Sequence, residues 1–229
     1  MTSTALAVAM LPAVLGATGC FDAHSVDQGP WVIDDFEDGD LNPADRNFGA
    51  WVCYTYPQPS QYLPVLDSGY QSAFSLALDF TVVNPASGTN DNAGAGVQTL
   101  TAAVPEDFSR FNKMVFSSKS VPGVSASPGV IKFAVHLGCS TVSLDDGTTP
   151  GDVFVLLPFV VPSAVPPDWG DPVQLPMANF ESPSYLSAHP VDPATCIRHV
   201  DSIQFDAEPQ LLEGQSTMGR LDIDEINFQ

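Results

Sequence analysis

In Ser75-Leu76-Ala77-Leu78-Asp79-Phe80 the large apolar side chains occupy the even positions and smaller or polar ones the odd positions. A β-strand sends successive side chains to opposite faces, so this spacing predicts a strand with one face in a core. Ser202-Ile203-Gln204-Phe205-Asp206 repeats the pattern with its apolar residues on odd positions. Working outward, apolar stretches predict strands at 31–37, 50–56, 73–83, 94–101, 112–118, 129–137, 152–161, 172–177, 198–206 and 219–228. Turn-forming clusters such as Asn84-Pro85-Ala86-Ser87-Gly88 and Asp145-Asp146-Gly147 lie between them. Residues 153–161 are apolar without alternation, which predicts a strand buried on both faces. No segment carries a sustained 3.6-residue apolar period. The reading is an all-β, two-sheet sandwich or jelly roll forming one domain over residues 31–229.

The balance of charge narrows the partners. The 229 residues include 27 acidic and 7 basic side chains, a net charge of −20, while hydrophobic residues make up 44%. The apolar fraction is enough for a sizeable core. The negative surface repels nucleic acid and anionic headgroups, and offers carboxylates to divalent cations. The 21 Pro and 17 Gly are scattered without a period, as many turns between short strands require.

The first 19 residues read as an export signal. Residues 5–17 form an uncharged apolar run, too short to span a bilayer comfortably, and small residues follow it up to Cys20. Ala17-Thr18-Gly19-Cys20 resembles a bacterial lipobox, in which the cysteine is acylated and becomes the mature N-terminus. That resemblance implies a cell-envelope lipoprotein, at the outer membrane or surface, anchored through Cys20, with residues 20–30 as a tether. The alternative is an ordinary cleaved signal and plain secretion. Setting Cys20 aside leaves Cys53, Cys139 and Cys196, enough for one disulfide in an oxidising compartment. Cys139 and Cys196 sit where predicted strands meet loops and are the preferred pair. Cys53, inside Trp51-Val52-Cys53-Tyr54, reads as buried.

Ile33-Asp34-Asp35-Phe36-Glu37-Asp38-Gly39-Asp40 and Leu221-Asp222-Ile223-Asp224-Glu225-Ile226-Asn227-Phe228 resemble the opening and closing strands of the galactose-binding-like jelly-roll superfamily. That superfamily includes many carbohydrate-binding modules and the domain named for complex I intermediate-associated protein 30. Residues 51–56, 107–116 and 168–180 follow the same order of motifs. The resemblance implies a carbohydrate-binding fold, and in many members a structural calcium. Asp224 shares strand parity with Ile226 and Phe228, so it is expected to point inward with them and to need a cation. Asp35, Glu37 and Asp224 are the expected calcium ligands, since calcium takes carboxylate and carbonyl oxygens. The alternative is that these acids are solvated turn residues.

For a glycan the candidate contacts are Trp51, Tyr54, Tyr56 and His136. Aromatic faces pack on sugar C–H surfaces, and amides or carboxylates hydrogen-bond the hydroxyls. Trp51 and Tyr54 face opposite sides of one strand, so only one of the two sets can line a cleft. The chain contains no GxSxG, HExxH, P-loop or GxGxxG motif. The expectation is therefore a non-catalytic lipoprotein binding polysaccharide or glycan; the rival is a structural or protein-interaction module of the same fold.

Overall fold

The computed structural model describes residues 29–45, 47–56, 60–62, 64–83, 93–122, 131–144, 153–161, 168–209 and 214–229. The signal segment, Cys20 and residues 20–28 of the tether lie outside the described residues.

The described chain forms twelve strands: β1 (Trp31–Asp34), β2 (Trp51–Tyr56), β3 (Ser60–Tyr62), β4 (Val65–Asp67), β5 (Ser75–Val83), β6 (Gly94–Thr99), β7 (Lys113–Pro122), β8 (Ile131–Gly138), β9 (Phe154–Phe159), β10 (Val173–Pro176), β11 (Ser202–Pro209) and β12 (Ser216–Phe228). One short α-helix, α1 (Pro193–Ile197), starts at Asp192, whose side chain accepts from Thr195 N. All pairings are antiparallel. The first sheet runs β10-β7-β12-β5-β4, with β1 also on β12; the second runs β3-β2-β6-β11-β8-β9. This is a two-sheet jelly-roll sandwich, and its first and last strands are neighbours, as the terminal motifs implied.

The core lies between the sheets. Leu76, Leu78 and Phe80 of β5 and Ile203 and Phe205 of β11 are buried there, as the alternation required. Phe116 of the first sheet meets Phe159 and Phe205 of the second edge-on, both at 5.0 Å. Burying such side chains contributes about 1.5–3 kcal/mol each before losses of entropy. Cys139 and Cys196 form a disulfide joining the end of β8 to α1, and Cys53 is a buried thiol facing the core.

Two expectations need correction. The apolar stretch 153–161 is not buried on both faces: β9 is the edge strand of the second sheet, and Val160 is 85% exposed. Val155 and Phe159 face the core, whereas Phe154 and Leu156 are half-buried on the outer face. Asp224 does not point inward with Ile226 and Phe228. Glu225 adopts φ 54°, and the β12–β7 register slips between Asp224 and Asn227. The bulge reverses the parity, so Ile223 and Ile226 both face the core and Asp224 lies on the outer side.

Candidate functional site on the outer face of the second sheet

The alternation that sends Trp51 and Cys53 inward on β2 turns Tyr54 and Tyr56 outward. Trp51, expected as a ligand contact, is instead wholly buried. Its ring packs on Phe36 and Phe205, and its Nε1–H donates to Asp34 Oδ2 at 2.8 Å. A side chain spent on the core cannot meet a glycan.

Register then assembles the face. Tyr54 lies opposite Gly96 of β6, and Gly96 opposite Asp206 of β11. Tyr56 lies opposite Gly94 of β6. On the far side of β11, Gln204 pairs with His136 of β8, which pairs with Leu156 of β9. The two glycines have a shared reason: a Cβ at Gly96 would collide with the end of the Tyr54 ring, and one at Gly94 with that of Tyr56. Both rings therefore reach over β6, 6.4 Å apart and inclined by only 24°. Their hydroxyls reach β11. Tyr54 O–H donates to Asp206 Oδ1 and lies 3.3 Å from Gln204 Oε1, and Tyr56 O–H donates to Glu208 Oε1 at 3.2 Å.

His136 closes the other side. Its Nδ1 stands 3.2 Å from Asp206 Oδ2, and both side chains are buried. Phe154 stacks on the imidazole at 4.4 Å with an interplanar angle of 6°, and Tyr185, 66% exposed, meets Phe154 edge-on. Burial pushes Asp206 up to about 7, against the hydrogen bond from Tyr54. Burial pushes His136 down to about 4, so the imidazole is neutral near pH 7. Burial, with the nearby Asp206 charge, holds both tyrosine hydroxyls well above the ordinary phenol range, so they remain donors. Among the described residues, the ligand atoms of His136, Asp206 and Glu208 lie within 4.8 Å of one another.

Of the expected glycan contacts, the structure brings Tyr54, Tyr56 and His136 to one face and withdraws Trp51. Sequence reasoning missed Gln204, Asp206, Glu208, Phe154 and Tyr185. The odd-position apolar pattern at 202–206 already placed Gln204 and Asp206 outward, but in so acidic a chain a further carboxylate carried little signal.

Asp35, Glu37 and Asp224 are not gathered into one set. Asp35 is exposed and, among the described residues, accepts from Glu37 N at 3.3 Å. Asp224 is buried, accepting from Tyr70 N and Ser72 Oγ, each at 2.7 Å, and from Glu225 N at 2.8 Å. Glu37 accepts from Ala73 N at 3.0 Å, so the two carboxylates grip the same 70–73 turn from opposite ends of the chain. Burial keeps the Asp224 carboxyl above its ordinary range despite these donors. Desolvation thus outweighs the three donors at Asp224.

No family model and no curated protein matches this chain. Among solved structures it is similar to CBM28, a non-crystalline cellulose specific carbohydrate-binding module, with 10% identity, covering 86% of this chain and 92% of that one, at a TM-score of 0.48. A second, TmCBM61 in complex with β-1,4-galactotriose, shares 8% identity over 85% of this chain and 93% of that one, TM-score 0.38. The K3 cleaved adhesin domain of Lys-gingipain from Porphyromonas gingivalis shares 12% identity over 87% and 98%, TM-score 0.35.

Proposed function

We propose that the chain is a non-catalytic carbohydrate-binding module carried on a cell-envelope lipoprotein, with the glycan lying across the outer face of the second sheet. The observation that carries this is the pair of Tyr54 and Tyr56 rings laid over Gly96 and Gly94, facing Phe154 and Tyr185 across a strip of amides and carboxylates. Ring faces pack on sugar C–H groups. Gln98, Gln204 and Glu208, none of them buried, supply acceptors and donors for hydroxyls between the two aromatic groups.

The test is a polysaccharide retardation gel and a glycan array with the full chain. Tyr54→Ala, Tyr56→Ala and Tyr185→Ala should each weaken retention. Gly96→Val, which displaces the Tyr54 ring without removing it, should do the same. Trp51→Ala is a folding variant and serves no purpose there. No retention by any glycan would dispose of the proposal.

The lipoprotein part rests on the lipobox-like Ala17–Cys20 alone. Labelling with a palmitate analogue should mark wild type and spare Cys20→Ser; an unlabelled wild type means plain secretion. We also propose a structural calcium held by Glu37 and Asp224, supported by the buried Asp224 carboxyl, at which desolvation outweighs the donors.

A further inference from the structure

The same face contains two buried side chains, His136 and Asp206, that sugar recognition does not call for. His136 is buried, with 6% of its surface exposed, and its Nε2 has no hydrogen-bond partner among the described residues. An imidazole placed in a sheet face with one nitrogen on a carboxylate and the other unused is costly, because each polar atom has given up water. Asp206, 3% exposed, is partnered by Tyr54 and His136, but no Lys or Arg pairs with it among the described residues.

We infer that His136, Asp206 and Glu208 form a binding site for a divalent transition-metal ion of the zinc type. Three features beyond proximity carry it. The donors come from two neighbouring strands, Asp206 and Glu208 being alternate residues of β11 and His136 lying diagonally across on β8, so the sheet fixes their spacing. One imidazole with two carboxylates is a nitrogen–oxygen set, suited to zinc, manganese or nickel and unlike the all-oxygen set that calcium prefers.

The third feature is the outer layer. Tyr54 holds Asp206 through Oδ1 and leaves Oδ2 toward His136. Tyr56 holds Glu208 through Oε1, and Phe154 fixes the plane of the imidazole by stacking. Each of the two carboxylates thus has its own tyrosine hydroxyl orienting it, as ligating carboxylates in metal sites are themselves hydrogen-bonded. Three protein donors leave at least one coordination position for water or for a hydroxyl of a bound ligand.

The site shares the sheet face with the proposed glycan surface but does not depend on that reading. The test titrates the chelator-stripped full chain with zinc against a chromophoric chelator, and with cobalt(II) followed by its visible absorption. Wild type should take up one tightly held ion and show the intensified cobalt bands of a low-coordinate site. His136→Gln and Asp206→Asn should weaken that ion by on the order of a hundredfold, and Tyr56→Phe by about tenfold. Asp38→Asn, remote and on the exposed surface, should leave it unchanged. In wild type, zinc should also move the ring-nitrogen signals of one buried histidine, a readout independent of whether the variants fold. Tight uptake that survives in both His136→Gln and Asp206→Asn would assign the ion to the acidic surface and overturn the inference. So would the absence of both competition and histidine shifts. Glycan retention unaffected by the chelator, with no metal uptake, sinks the metal site and leaves the glycan reading intact; metal uptake without glycan retention does the reverse.

Discussion

Asp34 shows how a single residue ties the ends of the chain to the core. It ends β1, is 1% exposed, and receives Phe36 N at 2.9 Å and Trp51 Nε1 at 2.8 Å on its two oxygens. The first bond secures a turn in which Phe36 adopts φ 55°, an uncommon angle for a large side chain, and puts that ring into the core. Burial outweighs both bonds and lifts Asp34 from 3.8 to about 6. A carboxyl raised in the folded state binds its proton more tightly there than in the unfolded chain. Its contribution is therefore complete below about pH 4 and is lost as pH rises through about 6. Compared with wild type at the same pH, Asp34→Asn should look worse at pH 4.5 than at pH 7.5, as measured by the difference in melting temperature. A difference independent of pH would show that Asp34 does not titrate in this range.

Strands are the scale at which the sequence was most legible, and the turn beside Asp224 is where it was least. All ten predicted strands form, because burial of one face writes a period of two into residues such as Leu76, Leu78 and Phe80. Strands β3 and β4, three residues each, are too short to write any period. The β9 stretch misled because its outer face is apolar as well, Phe154 being occupied with His136 rather than with a second core. Parity put Tyr54, Tyr56 and His136 outward, yet what joins them to Asp206 is strand order, which a single sequence does not display. The Glu225 bulge was equally hidden, since no glycine marks its positive φ. Its consequence is an element-level clasp in which Asp224 and Glu37 hold the 70–73 turn against the terminal strands. With calcium in place, EDTA should lower the melting temperature, and Asp224→Ala should lower it further and abolish the EDTA response. A melt indifferent to EDTA would leave the hydrogen bonds alone as the clasp, with the loss in Asp224→Ala then about 1–3 kcal/mol.

Across the whole molecule the weak point of the sandwich is the edge of the second sheet, and the disulfide guards it. Among the described strands β8 alone pairs with the edge strand β9, which is otherwise held by a single bridge from Leu156 to Glu181, and the outer face of both carries His136, Phe154 and Leu156. Cys139 follows β8 directly, and Cys196 sits in α1 just ahead of β11, so the bridge ties the two strands that hold His136 and Asp206. Its partners are 57 residues apart in sequence. Closing a loop of that length removes enough freedom from the unfolded chain to stabilise the fold by about 4 kcal/mol. In a domain of this size, reduction or a Cys139→Ser, Cys196→Ser pair should then lower the melting temperature by on the order of 10 °C. The loss should fall unevenly. Amide hydrogen exchange in β8 and β9 should rise more than in β5 and β12, which are central to the first sheet and bear no part of the bridge. Uniform acceleration across both sheets would mean that the bridge acts on global stability alone, without a local hold on the face that carries the site.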